Sequence, residues 1–369
     1  MIVKSIPHAA WQAVVVVLAA IPLASWAQNA APAAPQDWRS ANDTVGQLKR
    51  GHADVLKWEK TNLPHSAGVQ IPEVPSIQLL TVDDATRQAW RAHLDLRTPL
   101  SRLGAENVSR IAAGRWAEMD PSLQRRVEGV DEVLRVAVQA KKAWLQAVAS
   151  RQALAHVRAA LESAEAANEL GLRMVRVGNW SQLKQTQVQL AQSAAQMNWV
   201  RAQYDANRAQ ANLIKAVGLQ GQYASVVLPD SLPELPAQAV AHEEWTKRAS
   251  AIQAQLPLAE SKRSKPNSGM ALLAYQASHA LAQTSREARK VREFISEETV
   301  LHYNGMLSSV WDLLDASRNQ SQAEVDAIGA QRDFWIAEAD LQWVLQGGEP
   351  DSFVALGGGG ETAAPAAHE

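Results

Sequence analysis

A chain of 369 residues with a formal net charge of −2 carries no electrostatic footprint for nucleic acid. It has no cysteine, which excludes disulfides, thiol nucleophiles, cysteine metal sites and a lipid-anchored N-terminal cysteine. Only 3 Phe and 4 Tyr accompany abundant Ala and Gln, a composition for long, closely packed Ala-rich helices and not for thick aromatic cores.

Residues 1–27 read as a secretory signal peptide. Lys4 supplies the positive start, Ala13 to Leu23 the apolar run, and Ser25-Trp26-Ala27 a small-x-small cleavage site before Gln28. The alternative, an uncleaved membrane anchor, needs a longer apolar run. Residues 28–77 are Ala/Pro-rich and then polar. They read as an extended arm that Trp38 and Trp58 could pin to the body.

A first helical repeat is expected over residues 78–219. Leu80 to Trp90 opens it, with Thr81 as cap and Asp83 and Asp84 in the first turn, and Pro99 is expected to end or bend this helix near Leu100. Asn107 to Arg126 is helical in composition and broken at Asp120-Pro121. From Val130 to Val177 no strong breaker occurs, and Leu154, Val157, Leu161 and Ala164 form a coiled-coil seam. Some 45 helical residues reach roughly 65 Å. The stretch Arg173-Met174-Val175-Arg176-Val177-Gly178-Asn179-Trp180-Ser181 then reads as stop, short loop and start: Gly takes the left-handed C-terminal position and Ser caps the next helix. The return helix runs from Ser181 to about Val217. Its stripe is Leu183, Leu190, Ala194, Met197, Tyr204 and Ala211, interrupted by Gln187, Arg201 and Arg208.

Residues 220–265 form a connector, with Pro229, Pro233 and Pro236, a short helix from Glu243 to Leu256, and a basic loop, Lys262-Arg263-Ser264-Lys265-Pro266-Asn267. A second helical repeat is expected over residues 266–348. Met270 to Tyr303 goes out and Ser309 to Leu345 returns, through the turn Leu301-His302-Tyr303-Asn304-Gly305-Met306-Leu307-Ser308. Both turns place Ser three residues after Gly, so Gly178 and Gly305 are both expected at φ > 0. Ser309-Val310-Trp311-Asp312 adds a capping-box spacing. The repeats also match downstream: Tyr204-Asp205 and Ala211-Asn212-Leu213 correspond to Arg332-Asp333 and Ala339-Asp340-Leu341. Two antiparallel helical hairpins related by duplication follow. Residues 349–369 are a Gly/Ala tail with the composition of a disordered segment.

These residues resemble a known family. Leu80 to Ala89 resembles the opening helix of the outer membrane efflux proteins, the TolC family. Val177-Gly178-Asn179-Trp180-Ser181 resembles their first periplasmic tip turn, Ile295 to Leu314 the second, and Arg332 to Leu341 their final helix. The likeness covers residues 78–100 and 130–348 and is closest to the branch associated with copper and other heavy-metal resistance. It implies an all-α, coiled-coil bundle of two repeated hairpins, a homotrimer forming a hollow periplasmic cylinder, and tips that meet a periplasmic adaptor and through it an inner-membrane pump. The chain departs from the family where its barrel strands should lie. Windows 101–130 and 257–270 show no alternation of strand length, so no or minimal β-barrel is expected.

No phosphate loop, nucleophile elbow or zincin motif is present, and no enzyme activity or cofactor is expected. Asp312 and Asp315 share a helix face beside a turn, where capping is the simpler role. His302 lies near Met306, but one His and one Met make a poor metal site, and no metal is expected. The residues singled out for function are the tips: Val177, Gly178, Asn179, Trp180 and Ser181, with Tyr303, Asn304, Gly305, Met306, Leu307 and Ser308. Trp180 could anchor a partner or pack on its own hairpin. Two functions share this fold. One is an efflux component at the outer membrane exporting metal ions or small molecules. The other is a barrel-less periplasmic adaptor or interaction protein without channel activity.

Overall fold

The residues described in the computed structural model, 76–221, 225–350 and 352–354, build two hairpins of long α-helices. The signal peptide expected at 1–27, nearly all of the arm and most of the tail lie outside the described residues. In order, the elements are β1 (Ser76–Gln78), α1 (Val82–Ala92), α2 (Arg97–Leu103), α3 (Ala105–Ala112), α4 (Leu123–Arg126), α5 (Val130–Arg176), α6 (Gln182–Ala216), β2 (Ser225–Val227), α7 (His242–Gln255), α8 (Leu258–Asn304) and α9 (Val310–Leu345). Helix dominates, as the composition implies. The two short strands pair in parallel, Ile77 opposite Val226, and were not anticipated.

The long helices begin and end where local chemistry dictates. Thr81 closes a capping box with Asp84, and Asp83 pairs with Arg87 at 2.6 Å, which sets the start of α1. The 47 residues of α5 span about 70 Å at 1.5 Å per residue. Gly218, at φ 69°, ends the first hairpin, and a Cβ there would lie 2.1 Å from that of Ala92. That position therefore needs glycine both for its backbone and for the close approach of α1.

Side by side, the long helices run in the order α6, α5, α9, α8: each hairpin packs on itself, and the hairpins meet through α5 and α9. Burial concentrates at the base, the end remote from the two hairpin turns. There α5 buries most of Val130 to Ala149, and α9 buries Phe334, Ala337, Ala339, Leu341, Val344 and Leu345. Each fully buried Val or Leu contributes about 1.5–3 kcal/mol. Helices α2–α4 cap this base. Trp116 is fully buried beneath them, its indole N–H donating to the Ile111 carbonyl at 3.0 Å, and Gln346 donates to the Trp116 carbonyl at 2.9 Å.

Charge is buried in the same region. Lys141 Nζ, 6% exposed as a residue, lies 2.7 Å from Glu338 and 5.0 Å from the Trp116 ring centroid, and Lys142 pairs with Asp340. The connector is strapped across the helices by side chains: Arg151 donates to the Leu228 carbonyl at 2.9 Å, Trp335 to that of Pro233 at 3.0 Å, and Gln283 to that of Ala237 at 2.9 Å.

Three expectations are corrected. Helix α1 stops at Ala92, before Pro99, and Pro99 sits in the first turn of α2. A first-turn N–H has no intrahelical acceptor, so proline starts a helix there instead of ending one. The stretch 107–126 breaks at Gly114, φ 76°, as well as at Asp120-Pro121. The basic segment 262–267 is not a loop: α8 runs unbroken from Leu258 and carries Pro266 inside it, so the second outgoing helix begins well before the expected Met270. Ser261 and Ser264 are buried, and Gln253 of α7 donates to Ser264 at 3.1 Å. Packing on α7 thus offsets the backbone hydrogen bond that Pro266 removes.

Candidate functional site

The two hairpin turns form the tips. In the first, α5 ends in a run of backbone bonds: Gly178 N–H donates to the Val175 carbonyl at 2.9 Å, and Asn179 N–H to that of Met174 at 2.9 Å. Gly178 takes φ 79°, as expected, and nothing lies within 4 Å of a Cβ placed there. This is a Schellman-type ending, which satisfies the orphan carbonyls. Ser181 then caps α6, its hydroxyl accepting from the Lys184 N–H at 3.3 Å.

The second tip repeats this geometry one residue later than the sequence pattern suggested. Met306 N–H donates to the Tyr303 carbonyl at 3.0 Å, and Leu307 N–H to that of His302 at 2.8 Å. Met306, not Gly305, therefore occupies the position of Gly178. Met306 has φ 61° and Gly305 has φ −82°. The expectation of a left-handed Gly305 is overturned. The reason lies downstream: Ser309 and Asp312 close a capping box, with Asp312 N–H to Ser309 Oγ at 3.2 Å and Ser309 N–H to Asp312 Oδ2 at 2.8 Å. That box fixes the start of α9 at Val310, and counting back places the left-handed residue at Met306. The Ser309 hydroxyl, and then its backbone N–H, hold the Asp312 carboxyl below its ordinary range. Ser308 is not the cap.

The tips present apolar side chains to solvent. Met306 is 94% exposed, Leu307 79% and Val177 66%, and Tyr303 is also exposed. Gly178, Asn179, Ser181, Asn304 and Gly305 are exposed with them, and Ser308 is half-buried. Trp180 differs. Its ring stacks on Trp311 of the other hairpin, centroids 4.3 Å apart and planes 28° apart, with Lys184 Nζ 4.5 Å from its centroid. It neither projects freely nor packs only on its own hairpin. Among the described residues no group of three or more His, Asp or Glu is arranged to hold a metal ion.

A second feature was only half legible in the sequence. The expected stripe of α6 points outward: Leu183 is 72% exposed and Leu190 70%, with Ala194, Met197, Tyr204 and Ala211 exposed as well. The face turned toward α5 is the row Val188, Ala195, Trp199, Ala202, Ala206, Ala209 and Leu213, mostly small and at coiled-coil spacing. At the opposite edge, α8 exposes Met270, Leu273, Val291, Phe294 and Leu301, also at heptad spacing. Among the described residues no helix is long and apolar enough to cross a membrane.

No family model matches the chain, and no curated protein matches it. Its fold is similar to solved outer membrane channel structures at low identity. CusC, whose crystal structures describe folding and transmembrane channel formation, shares 12% identity over 72% of this chain and 96% of that one, with a TM-score of 0.47. The CmeC outer membrane channel of Campylobacter jejuni shares 11% identity over 66% of this chain and 67% of that one, at 0.44. The open MtrE outer membrane channel of Neisseria gonorrhoeae shares 14% identity over 65% and 71%, at 0.41.

Proposed function

We propose that this chain assembles edge to edge into a closed ring and docks through its hairpin tips, as a helical component of a cell-envelope efflux system. The observation that carries this reading is the placement of apolar side chains on the two outer helices. A helix that packs only on its hairpin partner needs one apolar face. Helix α6 has two: a row of four alanines with Val188, Trp199 and Leu213 toward α5, and Leu183, Leu190, Met197 and Tyr204 outward. Contiguous exposed apolar surface of this kind marks an interface. The outward ladders of α6 and α8 share a seven-residue period, each starts at a tip, and they lie at opposite edges of one layer. One edge of a copy can therefore seat on the other edge of the next. Such heterologous contacts close into a ring when the rotation between copies closes. A ring of three, with an adaptor at the tips and an inner-membrane pump beyond it, is what the resemblance to the TolC family implies. The cargo would be metal ions or small molecules.

The test is sedimentation of the full chain. Leu190→Glu and Phe294→Glu each place a charge on one ladder, at a residue exposed in the single chain. Each should shift a small oligomer to monomer while far-ultraviolet circular dichroism stays unchanged. A parent chain that sediments as a monomer at micromolar concentration, or variants that keep the assembly, would refute the ring. Leu307→Asp should leave the oligomer intact and abolish co-purification with an adaptor.

A second reading is favoured by the base. Residues 97–126, which take in most of the window 101–130 where the resemblance leads one to seek membrane strands, are folded into the cap over Trp116. In that reading the same ring is a periplasmic interaction protein that docks by its tips and forms no channel of its own.

A further inference from the structure

We propose that Trp180 and Trp311 form a clasp that holds the two hairpin tips at one fixed separation, making them positioning residues for the docking surface. The inference rests on the tip-docking reading for its purpose, but not for its test.

The hairpins are joined very unevenly along their length. At the base, α5 and α9 share a dense apolar core and the Lys141–Glu338 and Lys142–Asp340 pairs. Beyond Ala149, α5 buries only Leu161, Ala164 and Gly171. Over the same reach α9 buries only Ala316, Ser321 and Ile328. The tips thus stand at the end of roughly 40 Å of sparsely packed helix. Segments with few buried apolar contacts open at little cost, so the two arms would splay unless joined near their ends.

Near their ends stands a face-to-face aromatic contact between the hairpins. Trp180 comes from the turn of one and Trp311 from the first helical turn of the other, with ring centroids 4.3 Å apart. Lys184 lies over Trp180 as a cation–π partner at 4.5 Å. On its other flank Trp180 approaches Gly171, where a Cβ would sit 3.4 Å from the ring. Gly171 is helical with an ordinary backbone; a Cβ there would just touch the ring, and a larger side chain would crowd it. Below the stack, Ser163 and Ser317 share a hydrogen bond at 3.0 Å. A cleft of about 190 Å³, lined by Ala164, Ala167, Val188, Ala191, Trp311 and Leu314 among others, adjoins the stack. The stacked pair presents Val177, Met306 and Leu307 at one spacing to a partner that must meet both tips.

The chain has no cysteine, so spin labels can be placed at Asn179→Cys and Asn304→Cys alone, both exposed. The full labelled chain, diluted into an excess of unlabelled chain, is measured by double electron–electron resonance. The parent should give one narrow tip-to-tip distance. Trp180→Ala and Trp311→Ala should broaden it several-fold, and Trp180→Phe should restore it. Gly171→Leu keeps both tryptophans but fills the space of the ring, so it should broaden the distribution as the alanine variants do. This variant decides the matter if an alanine variant fails to fold. An unchanged narrow distribution in Gly171→Leu, or in a folded alanine variant, overturns the clasp. Because the measurement uses no partner, it is independent of adaptor binding. Loss of binding in Leu307→Asp with an intact distance would bear on docking alone.

Discussion

At the residue scale, the two tips show how the same backbone shape is reached with different residues. Gly178 meets its left-handed φ without penalty, whereas Met306 carries a side chain there. A left-handed L-residue costs roughly 1–2 kcal/mol. Gly178→Ala should therefore destabilise by about that amount, since no neighbour lies within 4 Å to add a clash. Gly305→Ala should be neutral or stabilise by about 0.5 kcal/mol, because its φ is ordinary and a Cβ there finds only contacts of 3.5 Å and beyond. Urea denaturation at fixed chain concentration compares them, and equal losses at both sites would contradict the one-residue offset. The glycines were legible in the sequence; which residue takes the turn was not. That was decided by Ser309 and Asp312. Their pairing also sets a pH dependence. The Asp312 carboxyl is held below its ordinary value of 3.8 by the Ser309 hydroxyl and backbone N–H. A depressed folded value means the contribution is complete above that ordinary value and is lost as pH falls through the folded one. Ser309→Ala should raise the Asp312 midpoint toward 3.8, read by carboxyl-carbon NMR titration, and an unmoved midpoint would show the box contributes nothing.

At the element scale, the long helices were visible in the sequence because they need only periodicity, caps and few breakers. Helix α8 shows the limit. Lys262, Lys265 and Pro266 read locally as a loop, yet Ser261 and Ser264 are buried, Gln253 of α7 donates to Ser264, and the segment is helical. Helix α6 shows another: its seven-residue repeat was legible, but not that Leu183, Leu190, Met197 and Tyr204 face away from α5. The joint between α5 and α9 depends on a charge pair that no local pattern announces. Lys141 lies 2.7 Å from Glu338, with side-chain exposures of 7% and 16%. Removing one member leaves the other buried and unpaired, which costs roughly 3–5 kcal/mol. Glu338→Ala should thus destabilise the chain strongly in urea, and Lys141→Met combined with Glu338→Leu should recover most of the loss. A double variant as unstable as the single one would assign the cost to packing.

At the scale of the whole molecule, the two hairpins, their outward ladders and the capped base make different demands on location. The ladders call for copies of the chain, and the cap places helix and a buried tryptophan over the base. With residues 97–126 committed to that cap, the second reading expects the native chain in the soluble periplasmic fraction after cell fractionation. Recovery only with outer membranes would rule that reading out. The sequence by itself determined the duplication, the two long hairpins, their turns and the absence of cysteine chemistry, because each depends on residues close together in the chain. Only the tertiary structure decided which face of α6 is turned outward, that Trp180 meets Trp311, and that residues 97–126 fold over the base. Those outcomes depend on contacts between segments far apart in the chain, as Trp180 and Trp311 are, and neither helical period nor capping signal records which distant surface a side chain will find.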